Sequence, residues 1–277
     1  MQRVTIGDTT LAYEIAGTGE PVVFIHGALV ADSLRPLLAE ASLANQYQLI
    51  HYHRRGYGES DRVTGVVSIA DQAEDCVELL RHLNLGPVHV VGHSYGGDVA
   101  LQLALDYPGM VHSLALLEPA LIAGESGPEY RQSLARGGEL FRSVETETLV
   151  HQFLLARWSD YRETLDRVLP GAYAQAVIDA ETAFEYELPG LLDWRFTETE
   201  ARRIQQPTLS VLGGDSHAFS PRFGEVHQLL QQWLPNAEGI TIPGVNHFLT
   251  IQDPEAVSDG LVGFWKRHPL LREPVAV

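Results

Sequence analysis

Apolar runs alternate with amphipathic stretches along the first part of this chain. Between residues 22 and 117, short runs rich in Val, Ile and Leu are separated by stretches whose apolar positions recur at helical spacing. Continuous apolar runs are typical of strands covered on both faces, and each link between them is long enough for a helix. The pattern therefore predicts an α/β fold, in which a mostly parallel sheet is flanked by helices.

Eight strands are predicted in all. The first two form a hairpin around Gly7-Asp8-Thr9, and the last two follow a long interruption between residues 120 and 203. That interruption contains four stretches with helical spacing and no convincing strand. We therefore predict a core formed by residues 1–119 and 204–277, and an all-helical cap formed by residues 120–203. The predicted strands span residues 4–6, 11–15, 22–25, 48–52, 88–91, 113–117, 208–212 and 237–242.

The charge of the chain limits its partners. The formal net charge is −17 at pH 7 and the 19 basic residues form no run, which argues against binding to nucleic acid or to an anionic membrane. A lone cysteine, Cys76, excludes an internal disulfide. No secretion signal is recognised, and no apolar run approaches the roughly 18 residues of a membrane span. We expect a cytoplasmic protein that acts on a small molecule, as a monomer or a homodimer.

A serine stands at a glycine-rich junction between a predicted strand and a predicted helix. The segment Gly92-His93-Ser94-Tyr95-Gly96 follows the strand at residues 88–91. A serine on such a turn is a nucleophile elbow, and the glycines permit strand and helix to approach closely. The helix also brings its N–H groups and positive dipole end next to the serine. The pattern predicts that Ser94 is a nucleophile.

Ser94 needs a base, because a serine hydroxyl is a poor nucleophile near neutral pH. Of the twelve histidines, His247 follows the last predicted strand and lies on a loop that can reach the carboxyl edge of the sheet. We therefore predict that His247 is the base. His26 is expected to hold a turn, and His93 is expected to pack in the core.

An acidic side chain must then orient the base and stabilise its imidazolium form. Two acids follow predicted strands at the same edge of the sheet: Asp215, in the segment Gly213-Gly214-Asp215, and Glu118. We assign Asp215 and keep Glu118 as the alternative, either as the acid, as a residue of the pocket or as the end of its strand.

The remaining site residues follow from the chemistry of acyl transfer. An oxyanion needs two preorganised donors, and the backbone amides of Tyr95 and Ala28 are the candidates. Leu29, Glu118, His217 and Phe248 are predicted to contact the substrate. We expect no metal and no cofactor.

These motifs together resemble the α/β-hydrolase superfamily. The resemblance extends from about Gly17 to Arg267 and rests on segments found in the family's order. They are His26-Gly27-Ala28, Arg54-Arg55-Gly56-Tyr57-Gly58-Glu59-Ser60, the elbow, Gly213-Gly214-Asp215 and the His247 loop. In that family the helical insertion is a cap over the active site that sets substrate choice.

Two departures from the family's usual pattern matter. His53 stands where an aspartate is common, and Ala28-Leu29-Val30 lacks the extra glycines of lipases that use a glycine-rich oxyanion loop. Haloalkane dehalogenases and many epoxide hydrolases have an aspartate at the elbow, where this chain has Ser94. The resemblance therefore implies a modest apolar acyl pocket and argues against dehalogenase and epoxide hydrolase chemistry.

The resemblance implies a serine hydrolase with a Ser94-His247-Asp215 triad that cleaves a small carboxylic ester. Lactones and thioesters are variants of the same chemistry, and hydrolysis of a carbon–carbon bond is the alternative reaction. A small-molecule receptor that retains the triad is the non-enzymatic alternative. An acidic carbon–carbon substrate would favour arginines in the cap, and five are available: Arg131, Arg136, Arg142, Arg157 and Arg162.

Overall fold

One sheet of eight strands forms the centre of the computed structural model, which describes residues 1–270. All eight predicted strands are present, and the predicted α/β class is confirmed. Residues 271–277, which belong to the predicted core, lie outside the described range. The strands are β1 (Gln2–Ile6), β2 (Thr9–Ala16), β3 (Glu20–Ile25), β4 (Tyr47–His53), β5 (Val88–His93), β6 (Val111–Leu117), β7 (Thr208–Gly213) and β8 (Ala237–Ile242).

The strand order is β1-β2-β4-β3-β5-β6-β7-β8. The first two strands pair antiparallel with each other, and β2 pairs antiparallel with β4, whereas every pairing from β4 to β8 is parallel. The carboxyl ends of β3, β5, β6, β7 and β8 therefore meet at one edge of the sheet. In an open parallel sheet, that edge is where ligands bind.

Four helices precede the cap: α1 (Arg35–Leu38), α2 (Ala41–Ala44), α3 (Ile69–His82) and α4 (Tyr95–Asp106). The α3 helix begins with a capping box, in which the Ser68 side chain accepts from the Asp71 amide and the Asp71 carboxylate accepts from the Ser68 amide. The apolar positions of residues 33–43 recur at helical spacing, but this stretch forms two short helices rather than one. Its interruption lies at Glu40, whose backbone is extended (ψ 119°).

Between β6 and β7 the described chain is helical. The segment holds α5 (Gly127–Phe141), α6 (Thr146–Leu155), α7 (Tyr161–Val168), α8 (Ala172–Glu181), a π-helical turn (Thr182–Glu187), α9 (Leu188–Asp193) and α10 (Glu198–Ala201). Up to residue 270, β7 is followed by a 3-10 turn (Ser216–Ala218) and three α-helices: α11 (Arg222–Trp233), α12 (Leu249–Gln252) and α13 (Pro254–Arg267). Within residues 1–270, no helix combines the length and apolar character needed to cross a membrane.

Successive residues of the central strands point to opposite faces of the sheet. Val90 packs against the layer that contains α3, α4 and α11, and Val91 packs against the layer that contains α1, α2 and α13. A third apolar cluster joins the helices between β6 and β7 to the loop after β3. The sheet is thus fixed from both sides, and its carboxyl edge is covered by the helical insertion.

Candidate active site

Ser94 is held in a sharp turn between β5 and α4. Its backbone has φ 51° and ψ −121°, a conformation that residues other than glycine rarely adopt. The neighbouring glycines have no room for a side chain. A Cβ on Gly92 would overlap the carbonyl of Gly96, and a Cβ on Gly96 would overlap the carbonyl of Ile25. The local sequence therefore produces the strained elbow that raises the serine hydroxyl above the sheet edge.

His247 lies beside this hydroxyl, on the loop between β8 and α12. Its Nε2 is 3.1 Å from the Ser94 Oγ, within hydrogen-bonding distance. The imidazole is buried and fits between the rings of His93 and Phe223, each with its centroid 4.8 Å away. His93 also contacts the loop, since its Nε2 is 2.8 Å from the His247 carbonyl oxygen. The predicted pair of Ser94 and His247 is therefore brought together.

The acid that contacts His247 is Glu118, not Asp215. The Oε2 of Glu118 is 2.8 Å from His247 Nδ1, and its Oε1 accepts a 2.8 Å hydrogen bond from the Gly213 amide. Glu118 directly follows β6, next to β5 in the sheet, and its backbone has φ 45°. Asp215 lies beyond β7, one strand further from the elbow, and it is exposed to solvent. The structure therefore contradicts the assignment of Asp215, because the side chain that contacts His247 is that of the alternative acid, Glu118.

The surroundings set the protonation of these groups. Burial, together with the positive charges of Arg157 and Arg222, holds the pKa of His247 well below its usual value. Burial raises the pKa of Glu118, while the hydrogen bond from the Gly213 amide opposes that rise. His247 is thus neutral near pH 7 and can accept a proton from Ser94. A carboxylate in the position of Glu118 can stabilise an imidazolium at His247.

The loop after β3 approaches Ser94 closely. His26 holds this loop, with its Nδ1 2.7 Å from the Gly27 carbonyl oxygen and its Nε2 accepting from the Arg54 amide at 3.0 Å. A Cβ on Gly27 would lie 3.0 Å from the Ser94 Cβ, so the backbone passes directly beside the nucleophile. Ala28 comes next and lines the same cavity as Tyr95.

A cavity of about 290 Å³ opens between the sheet edge and the helical insertion. Its floor is formed by Ala28, Ser94, Tyr95, Ala120, Arg222 and His247. Much of its roof is apolar, contributed among others by Leu134, Leu149, Phe153, Phe184, Leu188 and Leu191. The volume is close to the lower end of the range for small-molecule sites.

The four residues predicted to contact the substrate are not among those that line this cavity. Leu29 and Phe248 are buried in the apolar cluster beneath the insertion, and Phe248 stacks on Trp158 at 5.1 Å. His217 is exposed, with its Nδ1 2.8 Å from the Gly214 carbonyl oxygen. Glu118 is buried behind His247. These four predictions are not supported, because sequence neighbours of a catalytic residue point away from the cavity as often as toward it.

A buried charged network, which the sequence did not reveal, links the insertion to the core. The guanidinium of Arg54 pairs with Glu187 and hydrogen-bonds the carbonyl oxygens of His26 and Gly27 at 3.0 Å each. Glu187 also accepts from Tyr57 Oη at 2.6 Å and from Gln72 Nε2 at 2.7 Å. Arg54 and Glu187 are each about 1% exposed. The network thus holds the cavity roof and the Gly27 loop in one arrangement.

One group of side chains has the composition of a metal site. Single ligand atoms from Asp32, His51 and His53 lie within 4.8 Å of one another. Both ring nitrogens of His53 are already engaged, with Nε2 3.0 Å from Asp32 Oδ1 and Nδ1 accepting from the Glu59 amide at 3.0 Å. These contacts hold the segment that follows β4. The absence of a metal stays a prediction.

Comparisons with a family model, with relatives in sequence and with solved structures agree on the alpha/beta hydrolase fold. A family model described as the alpha/beta hydrolase fold matches residues 20–254. The chain is 28% identical over 295 residues to a soluble epoxide hydrolase of Corynebacterium sp. (strain C12), covering 95% of this chain and 96% of that protein. It is 25% identical over 272 residues to a 2-(acetamidomethylene)succinate hydrolase of Mesorhizobium japonicum, covering 95% and 94%. A solved thermophilic esterase of Thermogutta terrifontis has a similar fold, with a TM-score of 0.82, 23% identity and coverage of 97% and 100%.

Proposed function

Because this chain belongs to the alpha/beta hydrolase fold family, we propose that it is a serine hydrolase that cleaves small carboxylic esters through an acyl-enzyme. The observation that carries the proposal is the hydrogen-bonded series Ser94–His247–Glu118, whose serine opens into the cavity beneath the insertion. Its chain order, serine, acid and histidine, is that of the fold.

The first half of the reaction forms the acyl-enzyme. Ser94 Oγ attacks the carbonyl carbon of the ester, and His247 Nε2 accepts the hydroxyl proton. Glu118 faces the opposite ring nitrogen, so its negative charge offsets the positive charge of the imidazolium. When the carbon–oxygen bond of the ester breaks, His247 returns the proton to the departing alkoxide and an alcohol leaves.

The second half restores the enzyme. A water molecule gives a proton to His247 Nε2 as its oxygen attacks the acyl carbon, and the Ser94 ester bond breaks as Ser94 recovers the proton. One ester and one water thus become one acid and one alcohol, with no redox change.

The negative oxygen of each tetrahedral intermediate requires donors, which we assign to the amides of Ala28 and Tyr95. Tyr95 is the first residue of α4, so its N–H has no partner in the preceding turn of the helix. Ala28 lies on the loop that passes beside Ser94. Removing one such donor typically costs about 10² to 10³ in kcat.

The identity of the nucleophile favours acyl transfer over epoxide opening, although one relative is named an epoxide hydrolase. A serine that opened an epoxide would form an ether, which water does not readily cleave. A serine that attacks an ester forms another ester, which the same base and donors can hydrolyse. Lactones fit the same argument, since they are cyclic esters.

A panel of p-nitrophenyl esters with acyl chains of two to eight carbons tests the proposal. We expect turnover that is highest for the short chains that fit a cavity of about 290 Å³. Ser94→Ala should abolish both turnover and labelling by a fluorophosphonate probe. Labelling that persists in this variant, or a wild-type protein that neither turns over nor labels, would contradict a Ser94 esterase and favour a receptor.

A further inference from the structure

Two arginines line the cavity next to the reacting groups. Arg222 begins α11 in the core, and Arg157 follows α6 in the insertion. Both line the cavity together with His247, and burial and their positive charges lower the pKa of that residue. One guanidinium thus reaches the cavity from the floor and the other from the roof.

Arg222 is fixed beside the base. It is buried, and its Nη1 donates to the Pro119 carbonyl oxygen at 3.1 Å, directly after Glu118. The guanidinium carbon lies 4.4 Å from the centroid of the Phe223 ring, which in turn packs against His247. Its position is therefore set before any ligand binds.

Arg157 is positioned by the insertion. Its Nη1 donates to the Phe153 carbonyl oxygen at 2.9 Å, and its guanidinium carbon lies 3.7 Å from the Phe153 ring centroid. Tyr130 connects the two arginines, since its side chain interacts with Arg157 while its ring lies 4.0 Å from the guanidinium carbon of Arg222. The two cations share one aromatic side chain in a partly desolvated space.

Within residues 1–270, no carboxylate forms an ion pair with either guanidinium, although acids outnumber bases by 36 to 19. By contrast Arg54, which is buried as Arg222 is, pairs with Glu187. Burial raises the pKa of two acids, Glu118 and Asp98, the charge of Arg222 opposes that rise, and neither acid is paired with Arg222. Glu118 binds His247 and Gly213, and burial holds the pKa of Asp98 well above its usual value, which favours the neutral acid.

The two arginines also face a second cavity of about 290 Å³, which shares Tyr130, Ser133 and Ala156 with the first. Its other lining residues include Ser126, Ser220 and one exposed acid, Glu129. The guanidinium groups therefore stand where a mostly apolar cavity meets a more polar one. A ligand that reaches Ser94 can extend past them.

We propose that Arg157 and Arg222 form an anion-binding subsite that takes a carboxylate of the substrate. Each guanidinium presents five N–H donors in a fork that matches a carboxylate, and the aromatic surroundings strengthen a charged hydrogen bond. The substrate class is therefore an ester that carries a free carboxylate, such as the half-ester of a dicarboxylic acid. The ester bond of this substrate rests on the proposed esterase function. Its negative charge rests on the two arginines.

The experiment compares matched substrates. For p-nitrophenyl butyrate and mono-p-nitrophenyl glutarate, we expect the wild-type protein to have the higher kcat/KM for the anionic ester despite a net charge of −17. Arg157→Gln should lower the anionic-to-neutral ratio by roughly 10- to 100-fold, as expected for loss of a hydrogen bond to a charged group. Arg157→Lys should retain part of the preference, because the charge remains while the fork is lost.

Arg167→Gln is the matched control. Arg167 lies on α7 of the same insertion, is exposed and does not line the cavity, so the variant makes the same change in net charge. It should leave the ratio unchanged. A wild-type preference for the neutral ester, or equal ratios in Arg157→Gln and Arg167→Gln, would overturn the subsite.

Binding separates this inference from the proposed reaction. Monomethyl glutarate is titrated calorimetrically into Ser94→Ala and into the double variant Ser94→Ala/Arg157→Gln, with circular dichroism confirming that both are folded. Arg157-dependent binding supports the subsite even if the wild-type protein hydrolyses no ester. Hydrolysis of p-nitrophenyl butyrate with no Arg157-dependent binding leaves the esterase standing and removes the subsite.

Discussion

At the scale of single residues, the assignment of the acid is the most direct point to test. The Oε2 of Glu118 lies 2.8 Å from His247 Nδ1. The Glu118→Gln substitution keeps the shape of this side chain but removes the negative charge that would stabilise the imidazolium. We expect kcat to fall by roughly 10³- to 10⁴-fold, as for the corresponding change in other triads. Steady-state hydrolysis of a p-nitrophenyl ester measures it.

Asp215→Asn provides the comparison, because Asp215 is exposed and follows a strand at the same edge of the sheet. Its kcat should stay within about threefold of the wild-type value, since surface substitutions are usually close to neutral. If instead Asp215→Asn loses activity while Glu118→Gln keeps it, the contact seen for Glu118 is not the catalytic one.

The sequence predicted the nucleophile and the base because each has a local signature. Ser94 sits in a glycine pattern required by close backbone contacts, and His247 follows the last strand. The acid has no such signature. Glu118 and Asp215 both follow strands at the correct edge, and only the sheet order and the direction of the side chains decide between them.

A second residue-scale prediction concerns the pH dependence of the base. Burial and the positive charges of Arg157 and Arg222 lower the pKa of His247, so the base stays unprotonated to a pH below its ordinary value of about 6.5. The acid limb of kcat/KM for a neutral ester should therefore have its midpoint below about 6.5 in the wild-type protein.

Removing one of those charges should move the midpoint upward. In Arg157→Gln, the imidazolium loses a repulsive neighbour, so the pKa of His247 rises and activity is lost at a higher pH than in the wild-type protein. Profiles of kcat/KM from pH 4.5 to 8 measure this, with Arg167→Gln as the charge-matched control. A downward shift in Arg157→Gln would show that Arg157 does not act on His247 through its charge.

At the scale of elements, the elbow depends on the absence of side chains where β5 meets α4. A Cβ on Gly92 would overlap the Gly96 carbonyl, whereas one on Gly86 would meet nothing within 4 Å. Gly92→Ala should therefore lower the free energy of unfolding by about 3 kcal/mol or more, and Gly86→Ala should stay within about 0.5 kcal/mol of the wild type. Urea denaturation of both variants gives the comparison, and equal stabilities would mean that the turn relaxes without cost.

Helices and strands were predicted best where apolar residues recur at a regular spacing and where turn or capping residues mark the ends of the element. All eight strands were predicted from such signals. The insertion was harder, because α8 continues into a π-helical turn and then into α9 without a break that composition would reveal. That turn carries Glu187, whose partner Arg54 is 133 positions away in the sequence. Local patterns contain no information about such a pairing.

At the scale of the whole molecule, the buried pair of Arg54 and Glu187 joins the insertion to the core. The pair connects the π-helical turn to the loops that follow β3 and β4. Truncating one partner of a buried pair leaves a charge without compensation, which typically costs about 3–5 kcal/mol. We therefore expect Glu187→Gln to lower the free energy of unfolding by about that amount, measured by chemical denaturation at pH 7.

The same π-helical turn offers a matched control in Glu185. This residue pairs with Arg142 at 3.1 Å, but the Arg142 side chain is 63% exposed. Solvent screens such a pair, so Glu185→Gln should cost at most about 1 kcal/mol. The two variants remove the same charge two residues apart, and only one removes it from the joint between insertion and core. If their unfolding free energies fall equally, the buried network does not hold the insertion in place, and the apolar cluster beneath it must do so alone.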